Sequence, residues 1–171
     1  GRGGALFLNA KELTISDGSG MELGTSGTGN SGAAMISSDK VTLTGGSYIN
    51  GDVKPSEVDD FEDYNNEWKL VTGNGPDIVF ESKEMTLNGE SKIDITSAGA
   101  GSAGSLSITT ENLEIADFSS ISSIASKTGN AGSIEISADD ILLNNYSEIA
   151  TFTHFIPDNG KQVGNTAGTG G

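Results

Sequence analysis

The chain has 171 residues, of which 34% are hydrophobic and 6% aromatic, whereas an ordinary globular domain is about 40% apolar when glycine is left out. A conventional hydrophobic core is therefore not expected. The formal net charge of -15, with only 9 Lys and Arg residues, would repel nucleic acids and anionic membrane surfaces. Cysteine is absent and no long apolar run occurs, so disulfides, thiolate metal sites and an inserted membrane segment are not expected either.

A repeat of 28 residues runs along the sequence. The tetrapeptides GSAG at 101–104 and GNAG at 129–132 stand 28 residues apart, and Gly1 and Gly29 have the same spacing. A fixed period of this length is typical of stacked repeat architectures. The sequence divides into units that begin at residues 1, 29, 73, 101 and 129, with the start of another unit at 164.

Each unit contains three short segments in which apolar residues alternate with polar ones. One apolar column of the first segment is formed by Leu8, Ile36, Phe80, Ile108 and Ile136. The third segment opens with a column of serines, formed by Ser19, Ser47, Ser91, Ser119 and Ser147. Alternation with a period of two is typical of β-strands with one buried side. Both kinds of column are therefore predicted to face inward, the serines as a ladder of hydroxyls that hydrogen-bond from unit to unit.

Three short strands per unit can bury their apolar columns only if the chain coils. We therefore predict an all-β fold, a parallel β-helix or solenoid with three faces and 28-residue rungs, in which like strands stack about 4.8 Å apart. Residues 1–171 are predicted to be a single segment of a longer chain. Intrinsic disorder is the alternative that low hydrophobicity and high net charge favour, but a disordered chain has no reason to keep its apolar columns in phase.

Two segments carry a family resemblance. Residues 101–110 and 129–138 read GSAGSLSITT and GNAGSIEISA, and each is followed by a short apolar pair and the pattern Ser-x-Ile. They resemble the repeats of the filamentous-haemagglutinin-like exoproteins, which are secreted by the two-partner route. The resemblance implies a right-handed β-helix, an outer-membrane secretion partner and a role in adhesion or surface structure. It also implies that the protein is secreted or lies on the exterior of a Gram-negative-type outer membrane.

Two units are longer than the period, and both extra pieces follow the third segment. The second unit has 44 residues, 16 more than the period, which places an insertion loop at 52–72. The fifth unit has 35 residues, 7 more than the period, which places a shorter loop at 152–163. Both loops are predicted to project from the same corner of the solenoid, and repeat proteins tend to carry their binding face where such insertions lie.

The larger insertion combines acidic and aromatic side chains. Its candidate binding residues are Asp59, Asp60, Phe61, Glu62, Asp63, Tyr64 and Trp68. Carboxylates beside exposed aromatic rings suit a sugar ring or a cation, and weak calcium binding is possible in such a loop. No other cofactor is predicted.

A structural cap is the alternative role of this loop. Phe7, Met35 and Val79 are predicted to form an outward apolar stripe on the first three units. An uncovered stripe of this kind would be adhesive towards other apolar surfaces. The loop is predicted to cover it by folding back Phe61, Trp68, Leu70 or Val71.

A column of charged residues stands between the first and second segments. Its successive pairs are Lys11–Glu12, Asp39–Lys40, Lys83–Glu84, Glu111–Asn112 and Asp139–Asp140. The alternating signs of the first three predict ion pairs between neighbouring coils, each weak at a surface. Glu111 over Asp139 lacks a cation and could attract calcium weakly, but no metal site is predicted.

Catalytic residues are not predicted. Parallel β-helices also house polysaccharide lyases and hydrolases, which need carboxylates set across a cleft or a basic residue beside calcium. The sequence has a single arginine, Arg2, and it lacks calcium-repeat, phosphate-loop and nucleophile-elbow motifs. The only histidine, His154, is interpreted as a loop residue and not as a ligand.

The sequence thus predicts a non-enzymatic extracellular module of a bacterial exoprotein. A rigid rod would present loops for attachment to a cell surface or matrix, with a glycan or protein receptor, or other copies of itself, as partner. The first alternative is a filament subunit that stacks end to end. The second is a polysaccharide-active β-helix enzyme.

Overall fold

The computed structural model describes residues 1–55, 71–126 and 128–154. These residues form strands, turns and connecting segments, and none of them lies in a helix. In this part of the chain no helix is therefore long and apolar enough to cross a membrane. The strands form two parallel sheets, one of five strands and one of seven, which confirms the predicted all-β class.

The first sheet takes one long strand from every coil. In stacking order its strands are β1 Leu6–Ile15, β4 Ala33–Leu43, β7 Asp77–Leu87, β9 Ser105–Ile115 and β11 Ser133–Leu143. The register repeats the sequence period, because Leu8 lies beside Ile36 and Ile108 lies beside Ile136. Between the second and third coils the offset is larger and joins Ile36 to Phe80, as the larger insertion requires.

The second sheet takes a shorter strand from every coil. Its main strands are β2 Gly20–Glu22, β5 Tyr48–Asn50, β8 Lys92–Ser97, β10 Ser120–Ser126 and β12 Glu148–His154. Two more strands are β3 Thr25–Ser26 and β6 Val53–Lys54. Strand β3 pairs with β6, and β6 also pairs with β8. All pairs are parallel. The described chain is thus a parallel β-solenoid of five stacked coils, as the 28-residue period predicts.

A corner divides each long strand of the first sheet into two faces. In β4, burial alternates as far as Ser38, and then Asp39 and Lys40 are both exposed before Val41 is buried again. The pairing of β1 with β4 also omits the position that joins Lys11 to Asp39. The sequence predicted two separate strands, whereas the chain forms one strand that turns. Two successive outward side chains restore the inward phase of the second half, so the strand continues through the corner.

The interior is a column of apolar side chains that runs through all five coils. The largest fully buried members include Ile36, Leu43, Ile49, Phe80, Met85, Ile93, Leu106 and Leu113. Leu6 and Leu8 of the first coil, and Ile134 and Ile136 of the last, pack against this cluster but are only partly buried. The predicted inward columns are confirmed, and full burial of such a side chain contributes about 1.5–3 kcal/mol.

Serines lie inside the solenoid just before the second sheet. Ser47, Ser91 and Ser119 are fully buried, whereas Ser19 of the first coil is exposed. The Oγ atoms of Ser47 and Ser91 are 3.3 Å apart, and the Ser91 N–H donates to Ser119 Oγ at 3.1 Å. The Ser91 hydroxyl also donates to the Asn88 carbonyl at 2.7 Å. The predicted hydroxyl ladder is confirmed in the middle coils, where hydrogen bonds offset the cost of burying each hydroxyl.

The larger insertion occupies less of the chain than 52–72. The Lys54 carbonyl of β6 accepts the Gly27 N–H at 3.0 Å. Val71 is fully buried, and its carbonyl accepts a hydrogen bond from the following coil. Lys54 and Val71 therefore both belong to the coil. The residues between them, 55–70, equal in number the 16 residues beyond the period.

The residues of the outward apolar stripe lie side by side on three neighbouring strands. Phe7, Met35 and Val79 are partners on neighbouring strands, and Phe7 is 77% and Met35 38% exposed. The prediction is wrong for Val71, which is buried inside the coil because it continues the stack. The other side chains predicted to cover the stripe lie outside the described residues; they are Phe61, Trp68 and Leu70.

Two phenylalanines of the first sheet provide a matched test of the interior. Phe80 is fully buried and Phe7 is 77% exposed. We expect Phe80→Ala to lower the free energy of unfolding by about 3–5 kcal/mol, because it removes buried surface and leaves a cavity. Phe7→Ala should change it by less than about 0.5 kcal/mol. Urea denaturation followed by circular dichroism measures both, and equal losses would contradict the inward and outward assignments.

Candidate functional site

The binding residues predicted from the sequence lie outside the described part of the chain. They are Asp59, Asp60, Phe61, Glu62, Asp63, Tyr64 and Trp68. The two ends of their loop are described: the Lys54 carbonyl accepts the Gly27 N–H, and the Gly27 carbonyl accepts the Gly73 N–H. The chain therefore leaves and re-enters the solenoid at one point, and the binding role of the loop stays a prediction.

The shorter loop, predicted at 152–163, begins later than predicted. Strand β12 runs as far as His154, and Phe152 lies beside Ile124 of β10. Ile124 and Phe152 therefore share one column of the second sheet. The interpretation of His154 as a loop residue is wrong, because its backbone continues the parallel pairing with β10. Residues 155–163 lie outside the described part.

Ion pairs join neighbouring coils at the corner of the first sheet. The Lys83 Nζ is 2.8 Å from Asp39 Oδ1, and the Lys40 Nζ is 3.4 Å from Glu84 Oε2. The hydrogen bond between Lys83 and Asp39 lowers the pKa of the Asp39 carboxyl and raises the pKa of the Lys83 ammonium. The predicted ion pairing between coils is confirmed for these residues, but exposed pairs add little to stability.

In the last two coils, carboxylates occupy the positions equivalent to Asp39 and Lys83. Glu111 and Asp139 are both exposed there. Among the residues that the structure describes, no group of three or more His, Asp or Glu side chains is placed to hold a metal ion. Weak calcium binding therefore stays a prediction for this corner and for the acidic loop.

The turn before the second sheet has the same backbone conformation in every coil. Its two central residues have positive φ, as in a type I′ turn, and the pairs are Asp17–Gly18, Gly45–Gly46, Gly89–Glu90, Asp117–Phe118 and Asn145–Tyr146. Glycine adopts positive φ without a steric penalty, and Asn and Asp tolerate it. The first three coils have glycine in this pair, whereas the last two have an aromatic residue at its second position.

Hydrogen bonds from turn to turn hold this conformation in place. The N–H of the second central residue donates to the carbonyl of the first central residue in the next coil. Glu90 donates to Asp117 at 2.8 Å in this way, and Phe118 donates to Asn145 at 3.0 Å. A side chain at the second position therefore sits on a backbone whose conformation the neighbouring coils impose. Phe118 has a φ of 61° and Tyr146 a φ of 62°.

Phe118 and Tyr146 form an exposed aromatic stack at this turn. Their ring centroids are 5.3 Å apart and the ring planes lie 12° from parallel. Phe118 is 60% and Tyr146 87% exposed. Tyr146 belongs to the last described coil, so the ring face turned away from Phe118 lies at the end of the described stack. Beside the rings, the Asn145 amide donates to Asp117 Oδ1 at 2.7 Å.

The stack stabilises the fold too little to explain its presence. Positive φ at a bulky side chain costs about 1–3 kcal/mol, and both Phe118 and Tyr146 carry this strain. A stacked aromatic pair contributes only about 0.5–1.5 kcal/mol, and side chains this exposed gain little from burial. Strained and exposed residues cluster at functional sites. We therefore treat Asp117, Phe118, Asn145 and Tyr146 as the candidate functional site and name it the aromatic corner.

Acidic residues stand near the aromatic corner in the repeat. Glu90 holds the equivalent turn position one coil before Phe118, and the exposed Glu148 follows Tyr146 by two residues. Residues 101–154 contain one Lys or Arg, Lys127. The acidic residues in the same range are Glu111, Glu114, Asp117, Glu135, Asp139, Asp140 and Glu148. The corner thus lies in a strongly acidic part of the solenoid.

A half-buried carboxyl lies on the second sheet, outside the corner. Burial raises the pKa of the Asp94 carboxyl above its ordinary value, and this outweighs the hydrogen bond from Ser122 and the charge of Lys92. The Ser122 hydroxyl donates to Asp94 Oδ1 across neighbouring strands. Asp52 and Glu148, both acidic, also raise this pKa. Asp94 lines an open groove on the second sheet, together with Asn50 and Lys92.

Sequence reasoning missed Phe118 and Tyr146. In the other coils the residue before the column serine is Gly18, Gly46 or Glu90. The signal is therefore present in the alignment of the units, as a turn column that changes from glycine to aromatic residues. A search for inward alternation does not detect it, because outward turn residues follow no apolar period.

Comparison with known proteins identifies no relative: no protein-family model, no curated protein and no solved structure matches the chain.

The aromatic corner can be tested for its contribution to stability. We expect the double change Phe118→Gly and Tyr146→Gly to alter the free energy of unfolding by less than about 1 kcal/mol, because relief of strain offsets the lost stack. The reverse change at an equivalent turn, Gly46→Phe, should lower it by about 1–3 kcal/mol. Urea denaturation measures both. A loss of several kcal/mol in the double variant would show that the rings are structural.

Asp94 predicts a dependence of stability on pH. Because its folded pKa is raised, the folded state holds this proton more tightly than the unfolded state, whose carboxyl titrates near 3.8. Its stabilising contribution is therefore complete below that pH and is lost as the pH rises through the folded pKa. Asp94→Asn should exceed the native chain in stability at pH 7, with the gain disappearing in acid.

The control for this titration is Asp39→Asn. The hydrogen bond from Lys83 lowers the Asp39 pKa, so its stabilising contribution is present at neutral pH and is lost in acid. The measurement is urea denaturation of both variants from below pH 3.8 up to pH 7. Changes of the same sign at pH 7 for the two variants would contradict the assignment.

Proposed function

We propose that the chain is a non-enzymatic extracellular module of a secreted or surface-anchored bacterial exoprotein. It acts as a stiff rod that presents corners and loops for attachment to a cell surface or matrix. Its repeats resemble those of filamentous-haemagglutinin-like exoproteins, and this resemblance supports export through an outer-membrane secretion partner. The receptor is a glycan or a protein on the surface that the rod meets.

The continuous parallel register of the five coils carries this proposal. At about 4.8 Å per coil, the described stack rises roughly 24 Å. Bending such a stack would open main-chain hydrogen bonds between coils, and unpaired main-chain groups are costly, so the rod is stiff. Outward positions differ from coil to coil, as the change from Gly18 to Phe118 in one turn column illustrates. A constant interior with a variable exterior suits display of a binding surface.

Attachment assays test this proposal. The purified, fluorescently labelled chain should bind cultured epithelial cells or immobilised matrix glycoproteins saturably. If the acidic loop carries the binding, the triple change Asp59→Ala, Asp60→Ala and Trp68→Ala should abolish it without altering the circular dichroism spectrum. The matched control is Phe7→Ala, which changes an exposed aromatic residue on another face. A folded chain that binds none of these surfaces would contradict the attachment role.

A filament-forming subunit is the second candidate, and the one register that repeats from coil to coil supports it. Ile141 and Leu143 stand in inward columns, yet they are 49% and 42% exposed. Strand β11 pairs with β9 and with no other strand of the described chain. The first coil of a second chain would place Leu13 over Ile141 and Ile15 over Leu143, in the register that the stack itself uses.

Assembly measurements test the filament. In a filament subunit, sedimentation should show concentration-dependent growth, and Ile141→Asp with Leu143→Asp should abolish it, because buried carboxylates without partners are costly. Leu142→Asp, at an outward position that is 52% exposed, is the matched control. Electron micrographs of isolated rods at all concentrations would argue against the filament and for the attachment module.

A further inference from the structure

We propose that Asn50, Asp94 and Ser122 form a proton-dependent latch that joins the second, third and fourth coils on the outer side of the second sheet. In the closed latch the carboxyl group of Asp94 is neutral: its O–H donates to Asn50 Oδ1, and its other oxygen accepts the Ser122 hydroxyl. The latch opens when this proton passes to solvent. It regulates the cohesion of the coils and does not depend on the attachment role.

The strand register places the three side chains in one row. Asn50 of β5 is the partner of Asp94 of β8, and Asp94 is the partner of Ser122 of β10. Parallel strands lie about 4.8 Å apart and partner side chains point to the same side, so each of these side chains adjoins the next. Ile49 and Ile93, one residue earlier on two of the strands, are buried in the interior, so the row faces outward. Each of the three strands has a described strand on both sides.

Asn50 lacks a hydrogen-bond donor. Its Oδ1 atom is buried, and no group in the described part of the chain donates to it. A buried acceptor without a partner is costly to a fold. The adjoining Asp94 can supply the missing donor only as a neutral acid, because an ionised carboxylate accepts hydrogen bonds and donates none.

The surroundings of Asp94 favour its neutral form. Burial raises the pKa of this carboxyl, and neighbouring negative charge raises it further. Four acidic residues line the groove or act on Asp94 by their charge; they are Glu22, Asp52, Glu90 and Glu148. The charge of Lys92 acts in the opposite sense, and the Lys54 ammonium is bound to Asp52 at 2.9 Å. A hydrogen bond from the neutral acid to Asn50 acts in the same direction as burial.

The latch spans a short stretch of strand pairing. Between the second and third coils, β8 pairs with the three-residue strand β5 and, at one position, with the two-residue strand β6. Between the third and fourth coils, β8 and β10 pair at six positions. Because fewer main-chain hydrogen bonds hold the first junction, a side-chain hydrogen bond from Asp94 to Asn50 adds a larger share of its cohesion. This share is complete below the unfolded-state pKa near 3.8 and is lost as the pH rises through the folded pKa.

Titration of Asp94 in the full chain tests the shared proton. Carbon-13 NMR of the side-chain carboxyl follows its protonation in the native chain and in three variants. Leucine has the branched shape of asparagine and keeps the carboxyl covered but offers no acceptor, so Asn50→Leu should lower the pKa of Asp94. Ser122→Ala removes a donor to the carboxylate and should raise this pKa. The control is Thr42→Ala on the first sheet, which should leave it unchanged.

The sign of the change in Asn50→Leu decides between three arrangements. A lower pKa of Asp94 supports the latch. A higher pKa overturns it, because the Asn50 amide would then be turned round and would donate its N–H to the carboxylate. An unchanged pKa also overturns it, because burial alone would then hold the proton.

Hydrogen exchange tests the cohesion of the coils. The Gly51 N–H donates to the Asp94 carbonyl at 2.8 Å, so its exchange reports opening of the junction between the second and third coils. Its protection, corrected for the intrinsic exchange rate, should rise roughly two- to tenfold as the pH falls through the titration of Asp94, which is the effect of one hydrogen bond. The Thr44 N–H, bonded to the Ile15 carbonyl between the first two coils, is the internal control and should not follow this titration.

Asp94→Asn separates the latch from a general effect of acid. Its amide N–H can donate to Asn50 Oδ1 at every pH, so the protection of Gly51 should be the same at neutral and at acid pH. Adding Asn50→Leu should lower that protection roughly two- to tenfold. Protection that rises in acid equally in the native chain and in Asp94→Asn would overturn the proposal, and so would native protection that does not change with pH.

Discussion

Neighbouring coils of this protein hydrogen-bond to one another at equivalent positions, and the fold depends on this register. Ordering the backbone costs about 1–2 kcal/mol per residue, and one coil buries only a few aliphatic side chains. A coil therefore gains its stability from the coils beside it, which share its main-chain hydrogen bonds and cover its interior. The gradient of burial reflects this: Phe80 in the middle is fully buried, whereas Leu8 and Ile136 near the ends are partly exposed.

The same register explains how the aromatic corner arises. Turns that bond to one another must share a backbone conformation, and in the first three coils glycine makes positive φ inexpensive. At Phe118 and Tyr146 the stack keeps that conformation with side chains that disfavour it. The surface therefore carries rings in an orientation that an isolated turn would not maintain. The hydrogen bonds between neighbouring turns offset the strain of the positive φ at these two residues.

Features that repeat with the period could be predicted from the sequence, and features imposed by neighbouring coils could not. The inward column around Phe80, the serine ladder and the pairing of Asp39 with Lys83 follow from spacing alone. The continuous strand through Asp39 was missed because two exposed residues in succession read as a loop. The predicted range of the larger insertion, 52–72, is too long, because the two-residue strand β6 is too short to show alternation. The aromatic corner was missed because Phe118 and Tyr146 owe their backbone conformation to the turns beside them and not to their own propensity.

The two main-chain hydrogen bonds of Gly27 affect which changes of sequence the solenoid can tolerate. Its N–H and its carbonyl bind the two ends of the excursion, at Lys54 and at Gly73, so the distance between those ends is fixed by the coil and does not depend on what lies between them. A segment of different length or sequence could be exchanged at this place while the ladder on either side stayed intact. Recombination or engineering could therefore insert a foreign segment between Lys54 and Gly73. The rod would gain a new surface without changes to its coils.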